Sequence, residues 1–216
     1  MKKPNSVYPV LIPVLITIAV LTGMRACFTV YDISVKNRLY NHLQLSVAER
    51  TFYNTQLQVR QWLFIIAGII YTVLFCMWLY QEYKNVRTIN NGNTRYKLLL
   101  AAFSPVIPLF NLFAPLIVMN EMWDTYCNNI MDNTEGKGLV KQWFFLFVVV
   151  MIFNRILSTI LNKSSSEDTD LLYFNILLYL IQIHYFIITI RLVKKINAAG
   201  DNYDLYTRFL EQENKM

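Results

Sequence analysis

Four long apolar runs constrain this chain more than any other feature: Tyr8–Met24, Trp62–Tyr80, Trp143–Leu161 and Leu171–Val193. Each approaches the ~20 residues a helix needs to cross a hydrocarbon core. Lipid offers no water to backbone N–H and C=O groups, so a segment entering it must satisfy its own backbone, as a helix does. The expected fold is therefore all-α, a polytopic membrane helical bundle with four transmembrane helices. Composition agrees. Charged side chains make up 16% of the 216 residues, against about 25% in soluble domains. With the loops so small, residues 1–216 read as a single integral membrane domain.

A fifth segment, Leu98–Met119, is apolar enough to look like a span but carries Pro105, Pro108 and Pro115, with Asn111 among them. Each proline removes a backbone donor, and its ring collides with the preceding turn. Irregular backbone at membrane depth survives only when buried in protein or lining a wet cavity. The segment is expected to turn back as a re-entrant hairpin packed by its neighbours, with the Asn111 amide bonded to freed carbonyls. Pro105, Pro108, Asn111 and Pro115 are thus candidate functional residues.

Charge selects four spans plus the hairpin over five full spans, because Lys and Arg collect on the cytoplasmic side. Four spans with both termini inside place thirteen basic residues in the cytoplasm and six outside, with Arg155 in the membrane; five spans divide them twelve to seven. The short loops break this near-tie. Gln81–Lys97 carries four basic residues and one acid, while Asn162–Asp170 holds Glu167, Asp168 and Asp170. Only the four-span path puts the first inside and the second outside. The expected location is the cell (inner) membrane, crossed several times, with both termini cytoplasmic.

The N-terminal Met1-Lys2-Lys3 before an apolar run has the look of a secretory signal. Pro9 and Pro13 interrupt that run, and Met24-Arg25-Ala26-Cys27 is a poor cleavage site, so a retained anchor helix is expected. Trp62, Trp78, Trp123 and Trp143 all fall at the edge of an apolar run, where an interfacial aromatic belt belongs. In the long polar stretch Val35–Gln61, Leu39, Leu43 and Val47 recur at helical spacing. That reads as a short helix lying on the outer membrane face, or alternatively as a small ectodomain.

The polar residues inside the runs are the remaining candidates. Arg155 sits two-thirds of the way through its run. A central Arg normally faces the bundle interior or a wet cavity, and near a helix end it can instead snorkel to the headgroups. Asn175 and Gln182 are seven residues apart and share a helical face, with His184 nearby. If Arg155 turns inward, it meets Asn175, Gln182 or His184 in the only buried polar cluster of the bundle. Interhelical hydrogen bonding and a polar conducting track both account for that face.

Catalytic chemistry has little footing. No H-E-x-x-H, G-x-S-x-G, P-loop or G-x-G-x-x-G occurs. The 3 cysteines and 2 histidines are scattered without metal-ligand spacing. Neither enzyme activity, nor a cofactor, nor a metal site is expected. The net charge of +6 reads as a topology signal, and direct nucleic-acid binding is not expected without a clustered basic face.

Several stretches carry a resemblance. Trp78-Leu79-Tyr80-Gln81-Glu82-Tyr83-Lys84-Asn85-Val86-Arg87 closes the second run, Pro105–Pro115 follows, and then Glu121-Met122-Trp123. Together they resemble a bacterial family of small four-helix membrane proteins classed as a domain of unknown function, whose hallmark is a P-hydrophobic-x-N-L-x-x-P core followed by E-L-W. Arg191-Leu192-Val193-Lys194-Lys195, at the basic end of the last span, is similar too. The likeness covers about Trp62 to Lys195 and implies a four-helix membrane fold without implying an activity. Ala114 stands where that family often has a basic residue, and Met122 where Leu is usual. In size, span count and composition the chain is also similar to small multi-span accessory proteins of type VI-B CRISPR and other phage-defence loci.

Two function classes follow. One is a non-enzymatic membrane accessory, a scaffold, sensor or effector component acting through protein partners in antiviral defence. The other is a small pore or transporter lined by the broken segment and the polar faces. Both classes place the chain among membrane lipids, and a homo-oligomer fits either, since four helices alone leave little lumen.

Overall fold

The computed structural model describes residues 6–40, 45–107, 113–127, 134–161 and 169–213, and every element among them is helical. In chain order these are α1 (Tyr8–Tyr40), α2 (Val47–Ile89), α3 (Leu98–Ala102), α4 (Ala114–Cys127), α5 (Thr134–Leu161) and α6 (Thr169–Glu213). Four of them, α1, α2, α5 and α6, are long and apolar enough to cross a membrane. Their uncovered faces are also apolar. Ile65, Ile66, Ile69, Ile70 and Val73 on α2, and Phe174, Leu177 and Leu180 on α6, are exposed. Such patches mark contact with lipid or protein, and hydrocarbon satisfies them.

Each apolar run lies inside a longer helix. α2 is 43 residues long and α6 is 45, because nothing in the polar flanks breaks them: neither contains a proline. This corrects the reading of Val35–Gln61 as a separate surface helix. α1 runs on to Tyr40 and α2 is already helical at Val47; Leu43 lies outside the described residues. The start of α2 is a capping box: Ser46 Oγ accepts the Glu49 N–H (3.2 Å), and Glu49 Oε2 accepts the Ser46 N–H (2.9 Å). Its end is a Schellman turn. Asn91 is left-handed (φ 51°), the Gly92 N–H reaches the Arg87 carbonyl at 2.8 Å, and the Asn91 N–H reaches Thr88 at 3.2 Å.

Leu98–Met119 is not one helix. α3 stops at Ala102, residues 103–107 form turns, and α4 starts at Ala114. Pro105 accounts for the stop, since its ring would strike the carbonyl four residues back and it bars Ser104 from helical backbone. Pro115 is the second residue of α4, where an amide hydrogen would have no acceptor anyway. At 1.5 Å per residue, α3 is ~8 Å long and α4 ~21 Å, so neither crosses a 30 Å core alone. α3 packs against α4.

The chain packs as two compact units. One takes the described residues of Met1–Pro13, Val73–Phe145 and Ile188–Met216; the other takes those of Val14–Thr72 and Leu146–Ile187. α1, α2, α5 and α6 lend residues to both. In the first unit Trp78, Tyr83, Met119, Met122, Tyr126, Trp143 and Leu192 fill the interior. This corrects the aromatic-belt expectation. Trp62 is exposed, but Trp78, Trp123 and Trp143 are core residues. Trp143 Nε1 donates to the buried Thr189 Oγ1 at 3.1 Å, so its polar edge needs no headgroup.

The second unit joins α1 to α2 by charge. Asp32, 4% exposed, pairs with Arg60 Nη2 at 2.7 Å and accepts a hydrogen bond from Gln56 Nε2 at 3.1 Å. Arg38 and Glu49 form a second, exposed pair at 2.9 Å. The Arg25 guanidinium lies 4.7 Å from the Phe64 ring centre and 4.9 Å from that of Tyr179, an arrangement that holds a cation on aromatic faces.

Candidate functional site

The first unit contains a polar cleft of about 810 Å³ walled by α2, α4, α5, α6 and the α2–α3 loop. Its lining includes the polar Asn90, Arg95, Asn120, Glu121, Asp124, Thr125, Lys137, Lys141 and Tyr203 and the apolar Ile89, Leu116 and Ile117. α4 supplies much of it because polar residues follow its apolar start: Asn120, Glu121, Asp124 and Thr125 recur every three or four positions and share a face.

Side-chain contacts fix α4 in place. Glu121 Oε2 accepts from Tyr83 Oη at 2.6 Å, and its Oε1 accepts the Arg95 N–H at 3.0 Å. Tyr83 Oη in turn accepts the Tyr96 N–H at 3.2 Å, so one carboxylate and one phenol hold the loop after α2. Asn90 Nδ2 donates to Thr125 Oγ1 at 3.0 Å. Tyr126 Oη donates to Glu82 Oε2 at 2.8 Å, satisfying an acid that is 2% exposed. Burial, followed by the charge of Glu82, pushes the Tyr126 phenol far above its ordinary range, so it remains a donor. On the α5 side, Lys137 Nζ pairs with Asp124 Oδ1 at 2.9 Å. α5 also approaches closely at Gly136, where any Cβ would collide with the Trp123 indole.

The charges in the cleft are therefore unevenly committed. Glu121 is taken up by a phenol and an amide, and Asp124 by Lys137. The Arg95 and Lys141 side chains are exposed and have no acidic partner within salt-bridge distance among the described residues. Also among the described residues, no group of three His, Cys, Asp or Glu could hold a metal. Cys27, Cys76 and Cys127 are free thiols.

A family profile, that of a domain of unknown function, DUF4328, matches residues 44–198. The chain belongs to the DUF4328 family. No curated protein and no solved structure matches it. The DUF4328 region runs from just before α2 into α6 and holds every residue named in the cleft except Tyr203. α1, with Asp32, lies before it.

The residues singled out by sequence fall elsewhere. Pro105 is half-buried in the turn after α3 and Pro115 is buried in the first turn of α4, while Pro108 and Asn111 lie outside the described residues. Beside Pro105, Ser104 is fully buried and its Oγ meets no partner among the described residues. In the second unit Gln182 Nε2 donates to Asn154 Oδ1 at 3.4 Å, a long bond linking α6 to α5. Asn175 is half-buried; Arg155 and His184 are exposed. Among the described residues Asp32 and Glu82 are buried acids, so a polar cluster at the exposed Arg155 is not the sole buried one. Both sit just beyond an apolar run, on the polar continuation of a helix, where a search confined to the runs does not look. The cleft residues had a readable signal: polar groups at helical spacing beyond Met119, and a Lys137–Lys141 pair four residues apart ahead of Trp143.

Proposed function

We propose that this protein is a non-enzymatic membrane accessory, a scaffold or sensor that works by binding at the cleft of its first unit. One observation supports this above all: a polar cleft of about 810 Å³ lies on a unit whose interior is closed by Trp78, Tyr83, Tyr126 and Trp143. The volume is in the range of ligand pockets, which run about 300–1,000 Å³. The filled interior favours surface recognition over conduction through the unit. In this reading the broken segment dips into the membrane and returns, its prolines freeing α4 to carry polar residues to the cleft. The cleft faces the cytoplasm, both termini lie on the same side, and the host membrane is the inner one. The working context is a phage-defence locus of the type VI-B CRISPR kind, with the partner encoded beside it or a second copy of the chain.

The test uses the full chain with a photo-crosslinking amino acid at Asn120. A discrete adduct in cells, lost with Arg95→Glu plus Lys141→Glu, is the expected result. Protein reconstituted into liposomes should leave ion flux at the level of empty vesicles. Sustained conductance would overturn the reading in favour of the oligomeric pore, whose path would use Asn175, Gln182 and the broken segment.

A further inference from the structure

We infer that the cleft of the first unit takes a phosphate-bearing anion, and that its occupant is the headgroup of an anionic phospholipid. This rests on the reading of the cleft as a binding surface and adds a lipid that binds there beside the protein partner. The lining holds three cations, Arg95, Lys137 and Lys141, against two carboxylates: Glu121, which accepts from Tyr83 Oη and the Arg95 N–H, and Asp124, whose Oδ1 lies 2.9 Å from the exposed Lys137 ammonium. Among the described residues the Arg95 guanidinium and the Lys141 ammonium have no acidic partner within salt-bridge distance, and the Asn120 amide adds a neutral hydrogen-bonding group. Arg can meet a phosphate with two parallel N–H donors, and Lys adds a point charge.

Depth selects the lipid. Lys141 stands two residues before Trp143, where the α5 apolar run begins, Asn120 directly follows the apolar segment Leu98–Met119, and Arg95 precedes that segment by three residues. Two helical residues are ~3 Å, so these groups lie at the edge of the apolar stretches, where headgroup phosphates sit. The apolar part of the lining fits the same occupant. Leu116, Ile117 and Ile89 suit the glycerol and first methylenes next to a phosphate. Inorganic phosphate has no use for such a lining.

The test is native mass spectrometry of the detergent-purified full chain titrated with phosphatidylglycerol or phosphatidylcholine. Phosphatidylglycerol should bind in preference, and Arg95→Gln or Lys141→Gln should each weaken it about fivefold, the effect of one basic residue near an anionic surface. Lys141→Arg should retain binding. Lys84→Gln, an exposed charge outside the cleft, should leave it unchanged. Equal binding of the two lipids, or an equal loss in Lys84→Gln, would overturn the proposal. Glycerol 3-phosphate and inorganic phosphate separate the sources: if either displaces phosphatidylglycerol at equal concentration, the occupant is a soluble phosphate compound and the lipid assignment falls. Loss of the lipid with retention of the Asn120 adduct leaves the binding reading standing, whereas ion conductance removes both.

Discussion

Gly136 shows how much one missing carbon can decide. α5 lies so close to Trp123 that a Cβ at Gly136 would enter the indole ring. Gly136→Ala must push α5 away or turn Trp123, and overpacking of this kind costs about 1–3 kcal/mol. The thermal midpoint in detergent should fall, and Trp123→Leu on the same chain should recover much of the loss; failure to recover would mean the strain lies elsewhere. At Tyr126 the issue is a proton. Its hydroxyl donates to the buried Glu82 carboxylate at 2.8 Å, and Tyr126→Phe removes that donor without changing the packed ring. Leaving a buried acceptor short of a partner costs about 1–3 kcal/mol, so Tyr126→Phe should unfold at lower temperature and Glu82→Gln plus Tyr126→Phe should be milder than the single change. A Tyr126→Phe midpoint equal to that of the parent chain would show that the bond carries little.

The pairing of α1 with α2 depends on a buried charge. Asp32 and Arg60 have side-chain exposures of 6% and 15%, and removing one partner of such a pair costs about 3–5 kcal/mol because the other is stranded. Arg60→Met should therefore destabilise strongly. Asp32→Leu with Arg60→Met should be much less harmful, since apolar replacement of a whole pair is often neutral. Melting curves of the three proteins decide it, and a double variant as unstable as the single would refute the charge argument. Elsewhere, local chemistry sets the element boundaries. Ser46 with Glu49 starts α2, Asn91 and Gly92 end it, and Pro105 ends α3. Each of these signals can be read from a few adjacent residues.

At the scale of the whole molecule, the basic residues of Gln81–Lys97 predict a cytoplasmic loop and with it the orientation in the bilayer. In a background lacking Cys27, Cys76 and Cys127, a cysteine at Asn93 should be shielded from a membrane-impermeant thiol reagent in intact cells, and one at Ser165 should be labelled. Labelling at Asn93 would refute that orientation and, with it, the proposal of a cytoplasmic partner.

The sequence alone determined the class of this protein and most of its helix positions. Apolar runs of about 20 residues and scarce charge leave lipid-spanning helices as the way to satisfy a backbone, and all four runs lie in long helices. The break after Leu98 was legible for the same local reason, since Pro105 acts on its own turn. The burial of Trp78 and Trp143 and the cleft were decided by tertiary structure, while the extent of α2 lay in local caps that hydropathy does not record. Hydropathy records where a helix prefers lipid and says nothing of where it stops. The same tryptophan at the end of a run suits a headgroup belt or a protein core; at Trp143 the choice fell to Thr189, 46 residues away in sequence, which accepts its N–H. Glu82 and Glu121 look like ordinary surface acids until Tyr126 and Tyr83 are brought to them across α2 and α4, because a carboxylate's meaning depends on its partner and partners distant in sequence are joined only by folding.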